Sequence, residues 1–153
     1  MTHPTLIVST VIRASSKGQS HGGLHIVDME QRSCDRLFDW SEDDISFDGR
    51  GGERGLRGMA VAEECLWMTS NSKIHRVDLS SRMIEESFTN PYLDNIHEIF
   101  QDGDDLWVTS TGFDSILRFN TRSERFTQAA CIRHFKDSGR FESLLQRAGL
   151  RDA

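Results

Sequence analysis

The sequence repeats itself at an interval of 40 residues (106 − 66). Residues 66–70 (LWMTS) recur as residues 106–110 (LWVTS). Further along, residues 74–78 (IHRVD) align with residues 116–120 (ILRFN) once two extra residues near Gly112 are allowed. A unit of about 40 residues is too small to bury an apolar face alone, so neighbouring copies must stack on one another.

Short apolar and β-branched runs, separated by turn residues, predict a chain made of strands. They group into three units at residues 5–40, 59–88 and 97–129, with an insertion rich in glycine and charge at residues 41–58. Residues 24–28 (LHIVD) repeat the IHRVD pattern, so the first unit belongs to the same series, but it begins on what corresponds to a second strand. The strands are expected at residues 5–11, 24–28, 33–40, 59–61, 66–69, 74–79, 83–88, 97–101, 106–110, 115–120 and 125–129.

Repeats of about 40 residues that each form a four-stranded meander are typical of β-propeller blades. We therefore expect an all-β domain at residues 1–134, with about three four-stranded antiparallel propeller-like blades. For residues 135–153 the sequence predicts a short C-terminal amphipathic α-helix and a tail. Asp137 or Ser138 is suited to cap the N-terminus of this helix. Its apolar face would carry residues at helical spacing, namely Phe141, Leu144, Leu145 and Ala148.

The pattern over residues 5–129 resembles the blades of six- or seven-bladed propellers of the NHL, streptogramin-lyase and quinoprotein-like type. The resemblance is carried by the Leu-Trp-x-Thr-Ser strand, by the strand that ends in Arg, an apolar residue and Asp or Asn, and by the turn at Asp102 and Gly103. Residues 51–58 and 110–117 also resemble stretches of longer, uncharacterised bacterial propeller proteins. The resemblance implies an architecture and no particular activity.

Propeller rings hold about four to eight blades, and this chain supplies about three. The blades at the ends of an open set would expose strand edges to which other chains can pair. Three interpretations stay open. Further copies or a partner protein close the ring, the C-terminal helix covers one edge, or the chain is a truncated piece of a longer propeller. The first interpretation predicts a homo-oligomer or a complex with a partner protein.

Composition limits the class of partner and the compartment. A net charge of −6 argues against nucleic acid and against an anionic membrane as the main partner. No apolar run approaches the ~20 residues needed to span a bilayer, and residues 1–11 lack the features of a signal peptide. The three scattered cysteines are typical of free thiols in a reducing compartment. We therefore expect a cytoplasmic protein.

Candidate ligand residues come just before the inner strands of the second and third units. Aligned at 40 residues, Arg57 corresponds to His97, and Gly58 corresponds to Glu98. In the families that the chain resembles, polar residues at this place often contact ligand or metal at the mouth of the central channel. An arginine and a histidine can bind a carboxylate or phosphate, and Glu98 can act as a general base. The competing interpretation is that His97 and Glu98 only hydrogen-bond neighbouring blades.

Residues 49–58 (GRGGERGLRG) contain five glycines and three arginines. Such a segment can present backbone N–H groups and guanidinium groups to an anion, which makes Arg54 and Arg57 ligand-binding candidates. His21, in the corresponding loop of the first unit, is a further candidate. Alternatively, the segment is a plain loop whose arginines pair with the acids at residues 42–44, and His21 is an ordinary loop histidine.

The same insertion begins like a calcium-binding loop. Asp44, Ser46 and Asp48 supply oxygens at alternate positions, but the position that requires a bidentate acid falls on Gly55, so Glu53 would have to serve instead. Half of the pattern is therefore missing. Calcium is the one metal hypothesis that the sequence raises, and no other cofactor is predicted.

No complete catalytic motif is present in the sequence. Together with the expected open edges, this favours a non-catalytic ligand- or protein-interaction module that self-association or a partner completes. The first alternative is a lyase or hydrolase that acts on an anionic small molecule at a channel-mouth site. In it Arg54 and Arg57 bind the anion, while His97 and Glu98 transfer protons. The second alternative is a fragment without independent function.

Overall fold

The computed structural model describes residues 4–49, 51, 53–62 and 65–131. These residues form β-strands and one short 3-10 helix at Thr111–Phe113, so the all-β prediction is confirmed. The predicted C-terminal helix at residues 135–153 lies outside the described residues. The strands are β1 (Thr5–Val11), β2 (Gly22–Asp28), β3 (Ser33–Trp40), β4 (Met59–Ala62), β5 (Cys65–Thr69), β6 (Lys73–Asp78), β7 (Met83–Thr89), β8 (Ile96–Asp102), β9 (Asp105–Ser110), β10 (Ser115–Asn120) and β11 (Arg125–Cys131).

The strands form three antiparallel sheets that follow one another along the chain. The first sheet has the order β1-β2-β3, the second β4-β5-β6-β7, and the third β8-β9-β10-β11. Within the described ranges, the first sheet has no counterpart of β4 or β8, as expected for a unit that begins on its second strand. The first strand of that sheet is therefore β1. The backbone edge of β1 that faces away from β2 is not paired with any other described strand.

The strand register identifies equivalent positions in the three sheets. β1 corresponds to β5 and β9, and β2 corresponds to β6 and β10, because the same apolar pairs recur across them. The equivalent cross-strand pairs are Leu6–Val27, Leu66–Val77 and Leu106–Phe119.

One type of turn recurs between the last two strands of each sheet. A side-chain oxygen at the end of the first strand accepts hydrogen bonds from backbone N–H groups two or three residues further on, which fixes the reversal of the chain. The residue that closes the turn has a φ of 53° to 59°, in the left-handed region. The accepting residues are Asp28, Asp78 and Asn120, and the closing residues are Arg32, Arg82 and Glu124.

Two apolar layers hold the three sheets face to face. The layer between the first and second sheets contains Leu24, Leu66 and Met68, all at most 2% exposed. The layer between the second and third sheets is rich in aromatic rings, which pack against one another at centroid distances of 4.9 to 5.9 Å. These rings are Trp67, Phe88, Phe119 and Phe126. Stacked small sheets are the arrangement that the repeat predicts.

The inner strands of the second and third sheets approach each other closely at Gly58. A Cβ atom at this position would lie 2.7 Å from the backbone nitrogen of Ile99 and 3.0 Å from the Cα of Glu98, so only glycine fits without a shift. Here β8 contains a bulge, because Ile96 pairs with Ser110 and the next paired residue is Ile99. The bulge changes the direction of the strand at residues 97 and 98.

Candidate functional site

A cavity of about 540 Å³ opens where the end of β1, the segment before β4 and the bulge of β8 meet. We call it the arginine pocket. Four residues that the sequence singles out lie in its wall, namely Arg54, Arg57, His97 and Glu98. The wall is completed by Ser9, Val11, Arg13, Gly51, Leu56, Gly58, Met59 and Asn95. The volume is in the range of small-molecule sites in proteins.

The segment before β4 is held rigidly against the first two sheets. Leu56 is 1% exposed and belongs to the apolar layer between them. The backbone N–H of Arg57 donates to the carbonyl of Thr69 at 2.7 Å, and the N–H of Thr69 donates to the carbonyl of Gly58 at 3.0 Å, which extends the ladder between β4 and β5. Gly55 has a φ of 89° and packs against Val11. The two arginines therefore project from a fixed backbone.

Arg54 is a buried guanidinium that has no acidic partner among the described residues. Its side chain is largely enclosed, since the residue is 4% exposed. Nε donates to the carbonyl of Ser15 at 2.7 Å, Nη2 donates to the carbonyl of Phe47 at 2.8 Å, and the Phe47 ring lies 5.0 Å from the guanidinium carbon. Nη1 is buried and has no hydrogen-bond partner among the described residues. A buried charge left in this state is costly, so an external anion would stabilise it.

Arg57 lies half-buried beside it. Its Nη1 donates to the carbonyl of Ile96 at 2.5 Å, which ties the guanidinium to the start of β8. Burial, followed by the positive charge of Arg13, lowers the pKa of Arg57, while Asp94 and Glu53 oppose that shift. The lowered pKa of Arg57 thus reflects burial first and the neighbouring charge of Arg13 second.

His97 and Glu98 reach the pocket because of the bulge. Both residues lie opposite Thr109, whose hydroxyl accepts from the backbone N–H of Glu98 at 3.0 Å and lies 3.3 Å from the carbonyl of Glu98. Their side chains are exposed and make no hydrogen bond with another described residue. The interpretation that these side chains hydrogen-bond neighbouring blades therefore has no support among the described residues.

Arg13 is a third arginine of the pocket, and sequence reasoning missed it. It follows β1, two residues beyond the end of the strand, in no recognisable motif. None of the guanidinium groups of Arg13, Arg54 and Arg57 forms an ion pair with a described residue. Glu42, one of the acids expected to pair with this segment, instead forms an ion pair with Lys73.

His21 lies away from the pocket. It is 0% exposed, its Nδ1 lies 2.7 Å from the hydroxyl of Ser15, and its Nε2 lies 3.1 Å from the carbonyl of Glu42. Both ring nitrogens are thus used within the fold. His21 anchors the loops around the first sheet and does not line the pocket with Arg54 and Arg57.

Three residues of the calcium hypothesis are linked by hydrogen bonds. Glu53 accepts a hydrogen bond from the backbone N–H of Ser46 at 2.7 Å, and the hydroxyl of Ser46 accepts from the backbone N–H of Asp48 at 3.2 Å. In the described part of the chain, no group of three or more His, Cys, Asp or Glu side chains is placed to hold a metal ion, so the carboxylates of Asp44, Asp48 and Glu53 do not form such a group.

The fold is similar to parts of several solved structures. The match to Sqt1 of Saccharomyces cerevisiae has a TM-score of 0.56 and 13% identity, covering 84% of this chain and 36% of that chain. A mitotic checkpoint complex matches with a TM-score of 0.52 and 9% identity, over 81% of this chain and 39% of the other. A nidogen/laminin complex matches with a TM-score of 0.52 and 9% identity, over 71% and 38%.

These likenesses show a propeller-type fold. The chain spans 36% to 39% of the length of the structures that it matches. No family model matches the sequence, and no curated protein matches it. The resemblance to the NHL, streptogramin-lyase and quinoprotein-like type stays a prediction. Among the described residues, no helix is long and apolar enough to cross a membrane.

Proposed function

We propose that the chain is a non-catalytic interaction module, half of a propeller-type ring that a second copy of the chain completes. The observation that carries the proposal is a difference in exposure between equivalent positions. Apolar residues that are buried between neighbouring sheets have counterparts on the two end sheets that are open to solvent. The end sheets thus present two apolar faces of the kind that the chain packs together internally.

The first of these faces belongs to the third sheet. Trp67 on β5 is 2% exposed and packs against the third sheet, whereas its repeat counterpart Trp107 on β9 is half-buried. Ile74 is 0% exposed, whereas its counterpart Ile116 is half-buried. Phe100 on β8 is 69% exposed. Full burial of an exposed side chain of this kind contributes about 1.5–3 kcal/mol, so covering Phe100 would be favourable, and the half-buried Trp107 and Ile116 would each contribute less.

The second face belongs to the first sheet. Leu66 and Leu106 are 2% and 0% exposed and face the preceding sheet, whereas the equivalent Leu6 on β1 is 43% exposed. One further counterpart of a buried residue is less covered in the same way. His75 packs edge-on against Trp40 of the first sheet, while the equivalent His25 is half-buried and its Nδ1 has no partner among the described residues.

The two faces are suited to each other because of the repeat. The exposed face of the third sheet is equivalent to the face of the second sheet that packs on the third. The exposed face of the first sheet is equivalent to the face of the third sheet that packs on the second. A second copy placed head to tail would therefore form two identical interfaces and close. Two chains of three sheets give six sheets, within the usual range of about four to eight blades.

The proposal is tested by placing a charge on one face. In sedimentation equilibrium, we expect Phe100→Asp to shift the chain from dimer to monomer while its circular dichroism stays that of a β protein. The matched control is Met83→Asp, at another exposed apolar residue (63% exposed) on the outer strand β7, which should remain dimeric. A parent chain that is already monomeric, or a Phe100→Asp variant that remains dimeric, would contradict the proposal.

A further inference from the structure

We infer that the arginine pocket binds a small organic anion with a carboxylate or phosphate group, which the guanidinium groups of Arg13, Arg54 and Arg57 hold together. This binding site is separate from the contacts that would complete the ring, since it lies at the inner ends of the sheets and not on the outer faces of the first and third sheets.

The first argument is the local charge. The whole chain has a net charge of −6, yet three arginines line one cavity of about 540 Å³. The three make no ion pair with a described residue, and Glu98 is the only acid among the described residues of the wall, although Asp94 and Glu53 also act on Arg57 from nearby. Such a concentration of cations raises the local concentration of anions and favours their binding.

The second argument is the buried guanidinium of Arg54. Two of its nitrogens are fixed by backbone carbonyls, and the third, Nη1, has no partner among the described residues although it is buried. Nη1 lies beside Gly51, another residue of the wall, because a Cβ atom at Gly51 would approach it to 2.3 Å. A donor held in place without its acceptor binds an oxygen anion at little entropic cost.

The third argument is the set of further donors around that point. Arg57 uses Nη1 for the carbonyl of Ile96, which leaves the rest of its guanidinium for a ligand. Burial and the charge of Arg13 lower the pKa of Arg57, so a bound anion would relieve repulsion between these two groups. The exposed His97 ring is also part of the wall and can add a donor. A carboxylate or phosphate offers two or more oxygens to such an array.

The experiment is a calorimetric titration of the full chain with inorganic phosphate and with succinate, at one ionic strength set by sodium chloride. Phosphate and succinate distinguish the two anion classes. We expect saturable binding of at least one of them in the parent. Arg13→Glu, at an exposed residue whose side chain forms no ion pair with a described residue, should weaken that binding by about tenfold or more.

Two further variants keep the result interpretable. Arg125→Glu changes the net charge by the same amount at an exposed arginine on β11, outside the pocket, and should leave the affinity unchanged. Glu98→Gln removes the negative charge that the described residues place in the wall and should strengthen binding. An absence of saturable binding of both anions to the parent overturns the inference. Equal weakening by Arg13→Glu and Arg125→Glu also overturns it, because the effect would then be general electrostatics.

Discussion

His75 is a buried histidine between the first and second sheets. It is 1% exposed, its ring nitrogens lie 2.8 Å from the hydroxyl of Ser87 and 3.0 Å from that of Ser70, and its ring meets Trp40 at 4.9 Å. Burial, reinforced by the charge of Lys73, lowers its pKa from 6.5 to about 4. The folded chain therefore holds His75 neutral at a pH where the unfolded chain protonates it.

This residue sets a pH dependence of stability. The free energy of unfolding does not depend on this histidine's titration above pH 6.5. It decreases as the pH falls from 6.5 towards 4, because the unfolded chain then binds a proton at His75 and the folded chain does not. We expect the free energy of unfolding in urea to fall by roughly 3 kcal/mol across that window. Asp78 and Asp105, whose pKa values are lowered by hydrogen bonds, act only at lower pH, below their ordinary value of 3.8.

The control for this prediction is His75→Gln, which keeps hydrogen-bonding groups but does not titrate. The variant should show a smaller loss of stability between neutral pH and about pH 4.5 than the parent. Equal slopes for parent and variant would assign the acid sensitivity to other groups.

At the level of single residues, the sequence predicted some of the residues in the wall of the arginine pocket and did not predict others. Arg57 and His97 could be located because the repeat aligns them just before equivalent inner strands. Arg13 could not, because its place depends on how β1 lies beside the segment at residues 53–58, which local pattern does not determine. His21 likewise contacts the carbonyl of Glu42, 21 residues further along the chain, besides the nearby hydroxyl of Ser15.

At the level of strands, the bounds followed closely from the sequence. β1, β3 and β10 begin and end where the apolar and β-branched runs predict, and the other strands differ by at most two residues at either end. Local alternation and turn residues determine most of the register, although each sheet has a register shift between its last two strands. The bulge of β8, which lies against Gly58 of another sheet, was not predicted, because a contact between sheets leaves no local pattern in the sequence.

The close contact at Gly58 gives a prediction at this level. Gly58→Ala would place a methyl group 2.7 Å from the nitrogen of Ile99, so β4 and β8 must separate. We expect a loss of about 1–3 kcal/mol in the free energy of unfolding, with a changed environment of the His97 ring in NMR spectra.

Gly103→Ala is the comparison variant for this prediction. Gly103 has a φ of 59°, and nothing lies within 4 Å of a Cβ atom built there, so only backbone strain is added. That variant should cost about 1 kcal/mol and leave the His97 signals unchanged. If Gly58→Ala resembled Gly103→Ala in both measurements, the contact between the inner strands would not be the constraint described above.

At the level of the whole molecule, the two repeat tryptophans should behave differently. Trp67→Ala removes a ring buried between two sheets and should cost about 3–5 kcal/mol of stability. Trp107→Ala removes a half-buried ring at the equivalent position, partly covered by Arg118, and should cost the isolated chain much less. It should instead raise the dissociation constant of the dimer. Urea unfolding and sedimentation separate the two effects, and equal losses of stability would contradict an open face at Trp107.

The sequence predicted that the molecule consists of stacked sheets. It did not predict what covers the outer faces of the first and last sheets. The repeat determines which faces are apolar, because equivalent positions carry equivalent residues, as at Leu6, Leu66 and Leu106. It does not determine what covers the outermost faces, since that depends on another molecule or on residues outside the described ranges. In the described part of the chain, Leu6 and Phe100 on these faces are exposed.

The most direct test of the proposed ring is the mass of the parent chain in solution, measured by light scattering on a sizing column over a range of concentrations. Half of a six-bladed ring should elute as a dimer, at twice the 17.4 kDa of one chain. A mass of 17.4 kDa at every concentration would contradict the account, because the apolar faces of the first and third sheets would then remain uncovered in the isolated protein.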